Sequence, residues 1–193
     1  MILSLQLIKV ALFLPDHYDE EEVPVIINGF ENSKVDYDII PAREELPILE
    51  GNPGLKKKMK DIEDIRPEAY DALILPGFEE TINDNHNYLS KMNELIAAFY
   101  KQRKIIAAIA QGVKSLSISV SMEKKLITSP IEYKEKLIET GAYWIHQNVV
   151  EDDGIITAQD VRDIDAFVDK IIEAFWKSKA IKEFQKKQNI DKP

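Results

Sequence analysis

The sequence predicts one three-layer α/β sandwich built on a mostly parallel sheet. Two observations carry this. Short, nearly continuous apolar runs stop at Pro or Gly, as strands covered on both faces do. Between them stand segments whose apolar residues recur every three or four positions, the spacing of amphipathic helices. Runs and periodic segments alternate along the 193 residues, and such alternation places helices on both faces of a parallel sheet. A chain of this length suits a single domain.

The first strand is the run Ile8–Leu14, stopped by Pro15. Lys34–Ile40 alternates loosely up to Pro41 and reads as a second. Ala72–Leu75 ends at Pro76-Gly77 and Ile105–Ile109 at Gly112. Leu126–Thr128 and Ile155–Thr157 are shorter, and Asp152-Asp153-Gly154 predicts a hairpin joining the last of these to Val149-Val150. Leu89, Met92, Leu95, Ile96 and Phe99 mark one helix. Val161, Ile164, Phe167, Val168, Ile171, Ile172 and Phe175 mark another, and Ile131–Thr140 a short one closed by Gly141. Residues 44–65, with Pro47, Gly51, Pro53 and Gly54, read as an irregular excursion. Residues 177–193 are Lys-rich and read as a short, solvated tail helix.

Composition excludes several functions. Lys plus Arg number 25 against 34 Asp plus Glu, a net charge of −9, and nucleic-acid binding without sequence preference needs a basic face. The apolar run Met1–Leu14 is interrupted by Gln6 and Lys9 and is too short to span a bilayer, so a cytoplasmic protein without a membrane span is expected. The chain contains no cysteine. Disulfides, cysteine zinc sites and thiol nucleophiles are therefore excluded.

In an open parallel sheet, ligands sit beyond the carboxyl ends of the strands. The loop after the first strand, Pro15-Asp16-His17-Tyr18-Asp19-Glu20-Glu21-Glu22, has neither glycine-rich phosphate fingerprint, so no nucleotide cofactor is expected. A phospho-receiver domain needs a phosphate-accepting Asp after the third strand, where Leu75-Pro76-Gly77 stands instead. Lys104–Gly112 (KIIAAIAQG) has the layout of a nucleophile elbow, a tight strand-to-helix turn that lifts one residue above the sheet.

With KVALFLP from Lys9, YDALILPG from Tyr70, KIIAAIAQG from Lys104 and DDGIITA from Asp152, nearly the whole chain resembles the ThiJ/PfpI superfamily. That resemblance implies a flavodoxin-like, class I glutamine amidotransferase-like sandwich, usually a homodimer. It also implies an elbow cysteine flanked by a histidine, and a carboxylate from the loop after the first strand. Here the elbow residue is Ala110, followed by Gln111 and Gly112. Phe78 replaces the second of the usual paired glycines after the third strand, and Ser129 a histidine before Pro130. The loop acid matches Asp19 or Glu20. A methyl group has no lone pair, so the family's thiol chemistry cannot run.

The expected ligand pocket comprises Asp16, His17, Asp19, Glu20, Gly77, Phe78, Ala110, Gln111 and Ser129. His17, beside Asp16 and Asp19, has the chemistry of a general base or metal ligand. One histidine falls short of the three convergent ligands a metal needs, so no metal is expected. His86 is assigned to the surface, His146 to structure, and Tyr143 and Trp144 to burial against the sheet. Ser115 and Ser129 lack a nearby histidine, which excludes a serine triad. The expected function is non-catalytic binding of a small molecule. A hydrolase or lyase of small carbonyl or amide compounds, with Asp19 or His17 as base and elbow N–H groups as oxyanion donors, is the alternative; a protein-interaction module is a third.

Overall fold

The computed structural model describes residues 8–42, 47–50, 52–78 and 86–190, with the backbone alone of Pro47, Glu50, His86, Asn87, Glu183 and residues 185–190. The side chain of His86, parts of the 44–65 excursion and the last residues of the tail lie outside the described residues.

Six strands form the main sheet in the order β2-β1-β3-β4-β8-β7. They are β1 (Lys9–Leu14), β2 (Asp36–Pro41), β3 (Ala72–Leu75), β4 (Ile105–Ile109), β7 (Val149–Asp152) and β8 (Ile155–Ala158). Every neighbouring pair is parallel except the β7–β8 hairpin. Asp153 (φ 49°) and Gly154 (φ 82°) form its two-residue loop, the double positive φ of a type I′ turn. β5 (Leu126–Ile127) and β6 (Tyr143–Trp144) pair in a small separate sheet.

Alternate residues of the central strands feed two cores. Val10, Leu12, Leu14, Ile74 and Ile109 face α1 (Glu22–Asn32) and α5 (Ile164–Ile190) through Val23, Ile26, Phe30, Phe167, Val168, Ile171 and Phe175. Ala11, Phe13, Leu73, Leu75 and Ala108 face α2 (His86–Lys101) and α3 (Gln111–Ser119) through Met92, Ile96, Phe99, Val113 and Leu116. The first and last helices touch directly. A Cβ on Gly29 would lie 2.4 Å from Val168 Cγ1, and the Phe30 and Phe175 rings are 6.4 Å apart.

The three-layer sandwich thus stands as expected, with five differences in detail. β2 starts at Asp36, two residues later than expected, because Lys34 and Val35 are used to turn out of α1: Lys34 is left-handed (φ 56°) and Val35 N–H donates back to Phe30 O. The excursion is not irregular throughout, since Met59 bridges to Ile39 and Ile39 N–H and O bond Lys58 O and Lys60 N–H along the edge of β2. The tail is no separate helix: α5 runs unbroken from Ile164 to Ile190, as a segment without Gly or Pro permits. Tyr143 is 57% exposed, because β6 pairs only with β5. The short helix divides into a 3₁₀ turn at Ile131–Tyr133 and α4 (Lys134–Glu139), and Gly141 (φ 87°) closes it. No helix among the described residues is long and apolar enough to cross a membrane.

Candidate functional site

The sheet order places β1 between β2 and β3, so the connections leaving β1 and β3 diverge at their carboxyl ends. There the loop after β1, the Pro76-Gly77 turn after β3 and the elbow after β4 converge. Asp19 N–H donates to Gly77 O at 3.1 Å, and Tyr18 bridges antiparallel to Phe78.

Ala110 forms the elbow. It holds φ 50°, ψ −121°, a conformation that suits glycine and costs another residue on the order of 1–3 kcal/mol. Its N–H donates to Ala158 O on the neighbouring strand at 3.3 Å, and α3 begins at the next residue. Gly112 makes the turn possible: a Cβ there would lie 2.2 Å from Leu75 O and 3.0 Å from Pro76 O. The N–H groups in the first turn of α3 lack intrahelical partners of the ordinary kind and carry the positive end of its dipole.

The carboxylate at the elbow comes from Glu22. Its side chain is 1% exposed, and Gly77 N–H donates to Glu22 Oε2 at 2.7 Å. A Cβ on Gly77 would fall 2.9 Å from Glu22 Oε2 and 3.1 Å from Ala110 Cβ. The carboxyl and the elbow methyl therefore both border this one glycine. Burial pushes the Glu22 pKa up to about 7; the Gly77 N–H opposes the shift, and the charges of Asp19 and Asp160 add to it. Near neutral pH the group stands between donor and acceptor.

This corrects the expectation of Asp19 or Glu20 as the elbow acid. Asp19 Oδ1 accepts from the N–H groups of Glu21 (2.8 Å) and Glu22 (3.0 Å), capping α1, and Glu20 is exposed. The signal for Glu22 was present but undervalued. It lies four residues before Ile26 and eight before Phe30, on the buried stripe of α1.

Of the other expected pocket residues, Gly77 and Phe78 are buried at the β3 turn and Gln111 is half-buried at the start of α3. Asp16 is half-buried in the loop after β1, while His17 is exposed. Ser129 is fully buried and engaged: its Oγ donates to Pro130 O at 2.9 Å and accepts from Trp144 Nε1 at 3.0 Å. Beside it runs a polar chain that sequence reasoning missed. Thr128 N–H donates to Thr157 Oγ1 (2.9 Å), and Gln159 Nε2 donates to Thr128 Oγ1 (3.0 Å) and lies 3.4 Å from His146 Nδ1. These bonds fix the end of β8, where Ala158 holds the elbow.

Comparison with known proteins fits this geometry. A model of the DJ-1/PfpI family matches residues 8–174. An uncharacterised protein of Staphylococcus epidermidis is 26% identical over 166 residues, covering 86% of this chain and 96% of its own length. YraA of Bacillus subtilis, provisionally named a cysteine protease, is 27% identical over 163 residues, covering 82% of this chain and 93% of its own. Among solved structures, Drosophila melanogaster DJ-1beta superposes with a TM-score of 0.70 at 17% identity, over 90% of this chain and 91% of its own.

Proposed function

Because the chain belongs to the DJ-1/PfpI family, we propose that it is a member that works without a thiol, binding a small carbonyl- or carboxyl-bearing molecule in the crevice at Ala110. The resemblance puts the family's cysteine at Ala110, and no cysteine exists elsewhere in the chain to replace it. The observation that carries the reading is the backbone of Ala110. It keeps a strained elbow, φ 50° and ψ −121°, although its methyl group does no chemistry. Strain of this kind persists where the surroundings impose it, and it clusters at ligand sites.

The crevice offers two kinds of donor to a ligand oxygen. The first-turn N–H groups of α3 supply one, and Glu22 in its protonated form supplies the other. Gln111 adds an amide at the rim. A rearranged hydrolase or lyase would draw on Asp19 or His17 as base. Asp19 is committed to capping α1 and His17 is exposed, which favours binding over turnover. The same reading carries a cytoplasmic homodimer.

A thermal-shift screen of carbonyl and carboxylate metabolites tests the proposal. At least one compound is expected to stabilise the wild type and to lose that effect in Gln111→Trp, which plugs the rim, with the compound recovered unchanged. Stabilisation that survives the plug, or turnover of the compound, overturns the reading. The strain itself is open to measurement. Ala110→Gly is expected to stabilise the protein by about 1 kcal/mol in denaturant titrations, since glycine adopts this conformation without penalty. A loss of stability would mean that the elbow is relaxed as it stands.

A further inference from the structure

The end of α2 and the amino ends of β4 and β8 border a cavity of about 430 Å³, within the roughly 300–1,000 Å³ that small organic ligands occupy. It lies at the opposite end of the sheet from the elbow. The five residues of β4, rising about 3.3 Å each, keep it about 16 Å from Ala110. From its lining we infer that it is a second ligand site, independent of the crevice at Ala110, and that it takes a small organic phosphate monoester.

Arg103 is the central residue. It closes α2 in the left-handed region at φ 54°, its N–H donating to Tyr100 O at 2.9 Å and that of Lys104 to Phe99 O at 3.1 Å. Glycine fills this helix-closing position without penalty. Here a guanidinium is kept instead, against the backbone strain of a left-handed residue with a side chain. That guanidinium lines the cavity and makes no hydrogen bond or ion pair among the described residues. The negative end of the α2 dipole favours a cation in the last turn, such as Lys101, but asks for no side chain at the left-handed position.

Charge names the ligand class. Lys101, Arg103 and Lys104 share the lining with one carboxylate, Asp153, a net +2 in a chain of −9. Lys125 Nζ already answers Asp153 at 2.8 Å, and its hydrogen bond and charge hold the Asp153 carboxyl below the ordinary carboxylate range. Lys104 Nζ donates to Tyr70 O at 2.6 Å, which uses one of an ammonium's three donors. A phosphate monoester brings about −1.5 to −2 at pH 7 and matches this lining, where a monocarboxylate offsets half of it. Guanidinium also grips phosphate oxygens in pairs. Tyr100 and Ile155 supply a less polar wall for the organic body.

Titration of the ¹⁵N-labelled full chain with phenyl phosphate, followed by NMR, tests the inference. Saturable shifts are expected at the amides of Arg103, Lys104 and Gly154, with benzoate binding at least about tenfold more weakly. Arg103→Gly is expected to melt no lower than the wild type, since glycine suits φ 54°, yet to bind phenyl phosphate at least about tenfold more weakly. Lys101→Ala, on the exposed last turn of α2, should weaken binding at least about threefold, and it carries the test should the glycine variant fail to fold. Lys57→Ala removes the same charge from an exposed position beside β2 and should leave binding unchanged. No saturable shift, or binding that survives both Arg103→Gly and Lys101→Ala, overturns the site. Equal weakening by Lys57→Ala reduces it to general charge and overturns it too. Benzoate binding as tightly as phenyl phosphate overturns the phosphate class, and shifts with a single-stranded oligonucleotide but not with phenyl phosphate overturn the small ligand.

Discussion

Replacing Glu22 by glutamine is expected to stabilise the protein above neutral pH and to leave it nearly unchanged in acid. The folded-state pKa of Glu22 is raised to about 7, whereas an unfolded chain ionises its glutamates near 4.3. Between those values the folded protein holds the proton more tightly. Stability from this group is therefore greatest at low pH and falls as pH rises through the window. Above pH 7 the ionised carboxylate, buried at 1% exposure, costs up to about 3 kcal/mol. Glutamine removes that cost and still presents an oxygen to the Gly77 N–H. Denaturant titrations from pH 4 to pH 8 should show a slope in the wild type that the variant lacks. Parallel pH profiles would mean that Glu22 ionises as an ordinary glutamate.

Gly112→Ala is expected to be the most damaging single methyl in the molecule. The added Cβ would sit 2.2 Å from Leu75 O and 2.9 Å from Leu75 C, inside any tolerable contact with backbone that cannot rotate away. Either α3 shifts off the sheet or β3 moves and opens the Gly77 contact with Glu22. A loss of at least about 4 kcal/mol is expected, the exceptional end of the range for point changes. Urea denaturation would read it, and a variant within 1 kcal/mol of wild type would mean that the elbow is far looser than drawn. A β-branched residue is not needed to break the turn, because the clash begins with the first carbon.

Much of the fold was legible because its signals are local. A buried parallel strand such as Ile105–Ile109 announces itself by an apolar run with a stop, and Asp153-Gly154 by turn chemistry. The elbow was legible too, since only a small set of strand-to-helix turns demands glycine two residues past the apex. The acid at the elbow was not. Asp19, Glu20, Glu21 and Glu22 are chemically near-equivalent in sequence, and what separates Glu22 is the approach of Gly77 from 55 residues away. Ser129 was misplaced for a related reason: its hydroxyl could have faced the crevice, and Trp144 draws it inward. The length of α5 was misread because Lys-rich composition was taken as an end to packing, while Lys182 reaches Asp71 across the body.

The contact between α1 and α5 bears on how the chain is made. Gly29 and Phe30 of α1 close against Val168 and Phe175, so α1 emerges from the ribosome long before its cover exists. A nascent chain halted before residue 164 would carry the strands β1 to β8 with one sheet face covered by α1 alone, lacking Phe167, Val168, Ile171 and Phe175 from the core that holds Val10, Leu12 and Leu14. Domain-scale folding therefore waits for synthesis to finish, and stalled products expose apolar surface of the kind chaperones hold.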